Sequence, residues 1–581
     1  MSMVSDRPVT PARPWVAHYP PGARAEIPPS PHKTIADLVG ASAREFGTKP
    51  AFTVCMPNGM FGNLTFADIN RYSDAFAAYL RDVCGLKAGD RVALQPPNCL
   101  AFPIVAFGVF KAGCVLVNTN PLYTADEMVK QFKDAEPQAL VIIDMFTDKL
   151  PEVLKAQPIP NIVVARVAEF LPALPRFIVG AIQKYWDQSV KPCPVTHTTF
   201  LNALAAGQAK VDAGTDVAAY IDGMGNDTLA CLQYTGGTTG ISKGAMLTHG
   251  NILANMVQAF DMMGSEWKRG EEVILTALPM YHIFAFTVNL LAFYSLGARN
   301  ILIPNPRPLA NLQRAFENYN ITFLTGVNTL FNGLNNELWF KEDPPKHLKL
   351  AGAGGMALHG AVAKRWEEIT GKPVVEGYGL TESSPVISFN PFHRTKPDTI
   401  GIPVPSTEVK LVDDEGREVA HGQPGELAAR GPQVMKGYWN KPEETAKVMT
   451  NDGWLLTGDV AVMDDEGYFK IVDRKKDMIL VSGFNVFPNE IEDALAKCAG
   501  VLEAAVIGVP DGAAGEAVKA FIVTQDTDLT PDKVKAFCRD HMTGYKVPKF
   551  IEFRADLPKS NVGKILRKDL RAEELAKRKS T

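Results

Sequence analysis

Cysteine is sparse in this sequence, and the cysteines present are too far apart to act together. Eight are scattered between Cys55 and Cys538 in a chain of 581 residues, and none belongs to a CxxC pair. Structural metal sites need clustered ligands, and disulfide scaffolds are short chains with a high cysteine density. The sequence therefore predicts neither a cysteine-based metal site nor a disulfide framework, and it indicates a reducing, cytoplasmic compartment.

An excess of basic residues is missing as well. The 60 Lys and Arg residues face 64 Asp and Glu residues, for a formal net charge of -4. Nucleic-acid-binding domains carry a basic excess, so no nucleic-acid partner is expected. The first residues, MSMVSDRPVTPARPW, are rich in proline and lack the apolar region of a signal peptide, so none is expected here.

No apolar run is long and pure enough to predict a transmembrane helix, although two stretches come close. Val273 to Ser295 contains proline, histidine and asparagine, which are costly in lipid, so we expect a buried core helix there. Phe170 to Trp186 mixes aliphatic and aromatic residues with Arg176 and Lys184. This second stretch either lies on a membrane surface or covers a core, and the sequence leaves both alternatives open.

Strand-like and helix-like segments alternate through the first part of the chain. Thr65 opens the helical pattern TFADINRYSDAFAAYL, and Asp68 follows three residues later as a capping-box signal. Apolar strand-like runs at Val92 to Leu94 and at Ala139 to Asp144 are separated by helical patterns. Strands that alternate with helices of this length indicate βαβ units and a parallel sheet.

The pattern changes near Gly401, where short alternating strands are separated by Asp-Glu-Gly and Pro-Gly turns typical of antiparallel sheets. A charge cluster at 473–477 then precedes a compact mixed segment. We predict an α/β fold with a large N-terminal domain, residues 1–473, of parallel βαβ sheets plus a β subdomain. A small C-terminal α+β domain, residues 474–581, would follow a hinge at 473–477.

The sharpest local signal is the string YTGGTTGISKGA, from Tyr234 to Ala245. Glycines let backbone N–H groups turn toward an anion, hydroxyls add donors, and Lys243 supplies charge, so the string predicts phosphate binding. It is not a Walker A loop, because two residues separate Gly240 from Lys243. The alternative for a loop of this composition is a flexible surface connection.

YTGGTTGISKGA resembles the nucleotide-binding signature of the adenylate-forming superfamily of acyl-CoA synthetases, luciferases and peptide-synthetase adenylation domains. Four further matches occur in the superfamily's order: AGAGG at 351–355, EGYGLTES at 376–383, GWLLTGD at 453–459 and PKSNVGK at 558–564. The stretch Gly453 to Glu492 is similar to bacterial long-chain fatty-acid–CoA ligases. The resemblance implies formation of acyl-CoA, AMP and diphosphate from a fatty acid, ATP and coenzyme A, with Mg²⁺ required.

The resemblance also implies roles for individual residues. Carboxylate attack on the ATP α-phosphate brings two anions together, so cations and donors must neutralise the approach. Catalytic roles are implied for Thr235, Lys243, Glu382 and Lys564, with Glu382 as the Mg²⁺ anchor. ATP binding is implied for Thr235, Gly236, Gly237, Thr238, Thr239, Gly240, Lys243, Gly354, Gly355, Gly377, Tyr378, Gly379, Thr381, Asp459, Arg474 and Lys564, with Asp459 and Arg474 at the ribose.

In the second half-reaction the thiol of coenzyme A attacks the acyl-adenylate. The site that bound ATP in the first step must then also admit coenzyme A. The resemblance implies that a mobile C-terminal domain rotates about the hinge, with Lys476 at the hinge position. After rotation, Ser482, Gly483 and Phe484 would line the coenzyme A channel.

The acyl pocket is less readable. Phe286 falls where related long-chain enzymes have an aromatic gate to the acyl tunnel, although an aromatic stripe is also typical of an ordinary core. His282 would orient the substrate or would be a buried structural histidine. Medium-chain and aryl acids remain rival substrates, and a catalytically inactive fatty-acid-binding relative is the rival of a different class. By family analogy we also expect peripheral inner-membrane association and a homodimer.

Overall fold

The chain folds as a mixed α/β protein built on four β-sheets. The computed structural model describes residues 13–235, 242–264, 267–481, 484–512, 515–560 and 563–579. Two large sheets, a small antiparallel sheet and a C-terminal sheet carry the helices. The predicted fold class is confirmed.

Sixteen strands form the two large sheets. They are β1 (Pro50–Cys55), β2 (Phe61–Thr65), β3 (Arg91–Leu94), β4 (Val115–Asn118), β5 (Ala139–Ile143), β6 (Asn161–Ala165), β7 (Thr198–Thr199), β8 (Leu229–Thr235), β9 (Lys243–Thr248), β10 (Val273–Thr276), β11 (Arg299–Leu302), β12 (Phe323–Gly326), β13 (Leu350–Ala353), β14 (Val374–Gly379), β15 (Val386–Phe389) and β16 (Ile402–Pro403). Their orders are β7-β6-β5-β3-β4-β8-β9 and β16-β15-β14-β13-β12-β10-β11-β1-β2. Antiparallel pairs occur only toward the sheet edges, so the predicted parallel sheets are confirmed.

The remaining strands form two antiparallel-rich sheets. They are β17 (Glu408–Val412), β18 (Gly425–Arg430), β19 (Leu455–Met463), β20 (Phe469–Arg474), β21 (Ile479–Val481), β22 (Phe484–Val486), β23 (Val501–Asp511), β24 (Gly515–Thr524) and β25 (Phe550–Arg554). Strands β17 to β20 pair in sequence order, as the turn chemistry after Gly401 predicts. The sheet of β21 to β25 begins only after the turn that follows Arg474.

Helices fill the connections between strands. The α-helices are α1 (Ile35–Phe46), α2 (Phe66–Ala78), α3 (Ala101–Lys111), α4 (Ala125–Ala135), α5 (Leu150–Ala156), α6 (Ala173–Ala181), α7 (Phe200–Asp212), α8 (His249–Met263), α9 (Ile283–Ala285), α10 (Phe293–Ser295), α11 (Gln313–Asn318), α12 (Asn328–Leu334), α13 (Leu338–Glu342), α14 (Gly360–Thr370), α15 (Pro442–Ala446), α16 (Pro488–Leu495), α17 (Pro531–His541) and α18 (Arg567–Lys579). Three π-helical segments cover Tyr79–Val83, Ile182–Trp186 and Phe286–Ala292. Short 3-10 helices cover Pro14–His18, Asp144–Lys149, Val217–Ile221, Leu309–Leu312, Thr381–Ser383, Phe392–Arg394 and Gly544–Lys546.

Local capping sets where several helices begin. The Thr65 hydroxyl accepts from the Asp68 N–H over 3.1 Å, and the Asp68 carboxylate accepts from the Thr65 N–H over 3.1 Å. This reciprocal pair satisfies two backbone donors that a helix start otherwise leaves without partners. The capping box expected from the sequence is therefore confirmed at the start of α2.

The expected helix from Val273 to Ser295 is wrong over its first ten residues. Val273 to Thr276 form the parallel strand β10, and helical structure begins only at Ile283. A buried strand is as apolar as a buried helix, so the run of apolar residues could not separate them. Among the helices in the described ranges, none combines the length and apolarity needed to cross a bilayer.

Candidate active site

Strands β8 and β9 hold the ends of the Gly/Thr loop together. Thr235 pairs with Lys243 across this antiparallel hairpin, and Ser242 donates its hydroxyl to the Thr235 carbonyl over 3.1 Å. The predicted phosphate-loop residues Gly236, Gly237, Thr238, Thr239 and Gly240 lie outside the described residues. The pairing of Thr235 with Lys243 fixes where that loop leaves and rejoins the sheet.

The side chain of Lys243 contacts α15 and the segment before it. Its ammonium forms an ion pair with Glu444 and lies 5.0 Å from the centre of the Tyr438 ring. Hydrogen bonds from Lys243 and Lys447 lower the pKa of Glu444 to about 2, so this carboxylate stays ionised. Lys243 thus ties the hairpin to the segment that carries Tyr438.

Glu382 lies in the 3-10 turn that follows β14. Tyr438 donates its hydroxyl to Oε1 of Glu382 over 2.6 Å, and the backbone N–H of Met435 donates to the Glu382 carbonyl over 2.8 Å. Gly379 lets the turn form, because a Cβ there would lie 1.9 Å from the Pro385 carbonyl oxygen. Thr381 opens the same turn, so Thr381 and Glu382 are presented side by side.

Three of the glycines predicted to bind ATP lie at the carboxyl ends of two neighbouring parallel strands. Gly354 and Gly355 follow β13, and Gly377 lies in β14. A Cβ on Gly354 would lie 3.3 Å from the Gly377 carbonyl oxygen, so the two segments run close together. Crevices at the carboxyl ends of parallel strands are the usual ligand sites of open α/β sheets.

Asp459 joins the antiparallel sheet to this crevice. Tyr378 donates its hydroxyl to Oδ2 of Asp459 over 2.6 Å, and Nε of Arg474 lies 3.3 Å from Oδ1. Asp459 on β19 and Arg474 on β20 are directly paired residues. Burial, together with the charge of Asp459, raises the pKa of Tyr378 well above its ordinary value, so this hydroxyl remains a donor.

Lys564 reaches the same site from the C-terminal sheet's side. Burial and, to a smaller extent, the charge of Arg474 lower the pKa of its ammonium to about 7, while Asp459 opposes the shift. Burial lowers the pKa of His282 to about 4, and the nearby charge of Lys564 contributes. Lys564 therefore lies within electrostatic reach of Asp459, Arg474 and His282 at once.

The contact that places Lys564 here is made by its neighbour. Gly563 has φ +81°, and a Cβ there would lie 2.7 Å from Oγ1 of Thr329 and 3.4 Å from a methyl of Val327. Those two residues border α12 in the N-terminal part of the chain. The structure thus shows the C-terminal segment turned so that Lys564 faces the crevice.

The predicted hinge segment, residues 473–477, contacts the first residue of α18. The guanidinium of Arg567 lies 3.6 Å from Asp473, 3.5 Å from Asp477 and 2.6 Å from Glu492. Burial raises the pKa of Asp473 to about 6, while Arg567 opposes that rise. Burial also lowers the pKa of Lys476, in the same turn, to about 8.

The remaining predicted residues are not brought into this cluster. Phe484 is 55% exposed and stacks on Tyr545 at 4.8 Å, while Ser482 and Gly483 lie outside the described residues. Phe286 is fully buried and meets the Phe110 ring edge-on at 6.3 Å. The coenzyme A channel and the acyl gate remain predictions.

Sequence reasoning missed Tyr438, Glu444 and Arg567. Tyr438 and Glu444 lie in GYWNKPEET, which stands outside the five matched motifs, and Arg567 stands among other basic residues. Only Glu444 had a signal in the sequence: Glu443 and Glu444 follow one another at the start of α15, and negative charge favours a helix N-terminus.

The residues around Glu382 fit a magnesium ion bound together with a nucleotide. In the parts of the chain that the structure describes, no group of three or more His, Cys, Asp or Glu could hold a metal ion. Mg²⁺ in nucleotide sites commonly takes one or two carboxylates, with phosphate oxygens and water as further ligands. One carboxylate beside a phosphate-binding crevice suits that mode.

Known proteins match this chain over almost its whole length. The family model "AMP-binding enzyme" matches residues 40–439, and "AMP-binding enzyme C-terminal domain" matches residues 490–564. A long-chain-fatty-acid–CoA ligase of Salmonella typhimurium is 46% identical over 97% of this chain and 98% of its own.

Solved structures have the same fold. ATP-bound MatB from Rhodopseudomonas palustris has a TM-score of 0.78 at 27% identity, covering 93% of this chain and 98% of its own. The anthranilate CoA ligase AuaEII, solved with anthranoyl-AMP, has a TM-score of 0.82 at 23% identity, covering 95% and 99%. With the crevice, its motifs and these matches in agreement, the chain belongs to the AMP-binding enzyme family.

Proposed function

We propose that this chain is a long-chain fatty-acid–CoA ligase. It uses ATP to convert a fatty acid to its acyl-adenylate and then transfers the acyl group to coenzyme A, releasing AMP and diphosphate. The ligase of Salmonella typhimurium, 46% identical over 97% of this chain, supports both the reaction and the substrate class. The observation that carries the proposal is the meeting of Lys564, Asp459 and Arg474 at one crevice.

In the first half-reaction, the chain's own groups hold two anions together. The Asp459 carboxylate accepts hydrogen bonds from the ribose hydroxyls, with Tyr378 and Arg474 fixing its orientation. Thr381 donates to the α-phosphate, and Lys564 as an ammonium neutralises the carboxylate and phosphate oxygens that approach each other. Thr235 and Lys243 mark the two ends of the loop for which binding of the outer phosphates is proposed.

Glu382 would hold Mg²⁺, which screens phosphate charge when bound. Tyr438 fixes one oxygen of that carboxylate, so the other oxygen has a defined direction. Lys243 supports the Glu382 carboxylate indirectly, because its ion pair with Glu444 keeps the segment that carries Tyr438 in place.

The second half-reaction needs the C-terminal domain in another orientation. We propose the boundary at 473–477, with residues 1–473 and 474–581 as the two bodies and Lys476 in the hinge. The C-terminal segment has hydrophobic clusters of its own, drawn entirely from residues after 478, as a separate domain should. Rotation would bring Ser482, Gly483 and the exposed Phe484 to the crevice to line the coenzyme A channel.

The acyl chain would enter past His282 and Phe286. With its pKa near 4, His282 is neutral at physiological pH and can orient the acid without adding charge. Acyl-CoA formation measured with acids from short to long, and with aryl acids, tests the substrate class. A maximum with aryl or short acids would contradict the proposal.

Exchange of labelled diphosphate into ATP, driven by a fatty acid, separates the ligase from an inactive fatty-acid-binding relative. We expect exchange, because Lys243, Glu382, Asp459 and Lys564 are all present. Cytoplasmic location, which the scattered cysteines indicate, is a further proposal, as are peripheral association with the inner membrane and a homodimer. None of the three is required by the chemistry above.

A further inference from the structure

The stretch from Phe170 to Trp186, for which the sequence left two alternatives, carries large apolar side chains on the protein surface. It forms α6 and the π-helical segment that continues it. Leu174 is 68% exposed, Phe177 73% and Trp186 87%. With Ile182 and Tyr185, which are also exposed, these residues form what we call the apolar ridge.

The underside of the ridge is firmly attached to the protein. Val179 and Leu171 are buried in the largest hydrophobic cluster. The ring of Phe170 packs on Tyr72 at 5.3 Å and on Phe200 at 6.2 Å. The exposure of the ridge is therefore set by how the segment is fixed to α2 and α7, since its other face is already used in the core.

The ridge concentrates exposed apolar side chains. Of the fifteen large hydrophobic residues exposed within the described ranges, five fall between residues 174 and 186. Single exposed apolar residues are ordinary, whereas a contiguous patch marks an interaction surface. This surface therefore calls for a partner that accepts apolar side chains.

The charge around the ridge selects the kind of partner. Residues 170–197 contain Arg176, Lys184 and Lys191 against a single carboxylate, Asp187, although the whole chain has a net charge of -4. Arg176, Lys191 and Asp187 are exposed, so the described charges of this segment are basic in excess. A basic excess on an acidic protein complements an anionic partner and disfavours contact with its own copy.

We propose that the apolar ridge is the surface by which this protein docks on an anionic lipid bilayer. Trp and Tyr favour the membrane–water interface, and interfacial helices embed Leu, Phe and Trp while Lys and Arg contact anionic head groups. The inference rests on the proposed peripheral association and adds which surface makes it.

Trp186 provides a direct probe, because it is the one exposed tryptophan among the seven, all of which lie in described ranges. Vesicles of phosphatidylglycerol and phosphatidylethanolamine should shift its emission to the blue, and brominated acyl chains should quench it. Trp186→Phe should abolish both changes. If vesicles bind the protein without either change in the wild-type protein, the ridge is not the docking surface.

Flotation with the same vesicles tests the ridge with a matched control. Leu174→Glu should reduce vesicle binding about tenfold or more, since it puts a carboxylate into the apolar contact. Leu338→Glu alters an equally exposed leucine, 70% accessible, on α13 and should leave binding unchanged. Equal losses in the two variants would overturn the proposal.

Two further measurements separate the rival explanations. Arg176→Glu should weaken binding to anionic vesicles and leave binding to phosphatidylcholine vesicles nearly unchanged, as attraction to anionic head groups requires. If Leu174→Glu instead converts a dimer to a monomer in sedimentation while vesicle binding persists, the ridge is an interface between copies. Ligase activity of Leu174→Glu on a medium-chain acid without vesicles should match wild type, so loss of docking is distinguishable from loss of the proposed reaction.

Discussion

Tyr438 and Glu444 show how side chains outside the signature motifs hold the side chains inside them. The Tyr438 hydroxyl fixes one oxygen of Glu382, and Glu444 takes the ammonium of Lys243. Both contacts are made by the short segment around α15, which lies against the β8–β9 hairpin through the isolated bridge between Ala245 and Tyr438. This segment therefore positions the proposed metal carboxylate and the end of the phosphate loop together.

Removing the Glu382 carboxylate should disable adenylation. We expect Glu382→Ala to lose on the order of 3 kcal/mol of transition-state stabilisation, roughly a hundredfold in fatty-acid-driven diphosphate exchange. Tyr438→Phe keeps the carboxylate but removes its donor, so it should lose roughly tenfold and need more Mg²⁺ for half-maximal exchange. Glu415→Ala, at an exposed turn, is the control, and near-normal exchange in Glu382→Ala would refute the metal assignment.

One experiment distinguishes whether Phe286 is the gate of the acyl tunnel or an ordinary core residue. Phe286→Ala should change the chain-length profile of acyl-CoA formation while leaving ATP affinity nearly unchanged, because the proposed role of this ring is confined to the acyl tunnel. Phe110→Ala removes the ring that Phe286 contacts at 6.3 Å and is the matched control. Both variants should lose about 3–5 kcal/mol of folding stability if their rings are ordinary core, so thermal melting is measured alongside. An unaltered profile in Phe286→Ala would leave that ring a core residue.

Helices and strands could be predicted from the sequence where a local residue pattern determines them. The capping box at Thr65, the alternation that gives parallel sheets and the turns after Gly401 all depend on neighbours in sequence. The run from Val273 was misread because burial on both sides erases the difference between strand and helix periodicity. The hydrogen bond from Tyr438 to Glu382 could not be predicted from the sequence, because it joins residues 56 apart that only the folded chain brings together.

One pair of helices should make the domain contact sensitive to pH. Nδ1 of His359, at the start of α14, lies 2.9 Å from Oδ1 of Asp493 in α16. Burial lowers the pKa of His359, but the hydrogen bond to Asp493 and the charges of Asp493, Glu492 and Asp398 outweigh burial and raise it. A raised pKa means that the contact stabilises fully below the unfolded value of about 6.5 and is lost as pH rises through the folded value.

Limited proteolysis at the turn 475–477 should therefore accelerate as pH rises through the raised pKa of His359. Asp493→Asn should weaken this pH dependence, whereas Asp540→Asn, an exposed change on α17, should not. Cleavage with the same pH dependence in Asp493→Asn and wild type would show that another group controls the contact.

At the scale of the whole molecule, the proposed two-orientation cycle assigns the orientation described above to the first half-reaction. Lys564 faces the crevice here, and Phe484 faces solvent. Lys564→Ala should lose adenylation roughly a hundredfold or more, yet still form thioester from preformed acyl-adenylate and coenzyme A. Lys476→Pro should do the reverse, since proline fixes φ near -65° and stiffens the hinge.

Rapid-quench assays of each half-reaction separate these outcomes, with Lys475→Ala in the same turn as a control for mere loss of a lysine. Equal loss of both half-reactions in both variants would contradict rotation about this turn, even if the ligase function stands.

Gly563 has a consequence for how such an orientation could be blocked. A single methyl group there would lie 2.7 Å from Thr329, and the φ of +81° already disfavours any side chain. In the proposed rotation this contact would form only while Lys564 faces the crevice, so alanine at position 563 should hinder the first half-reaction more than the second. Because Gly563 has no Cβ, the segment can pack against Thr329 with Lys564 at the crevice.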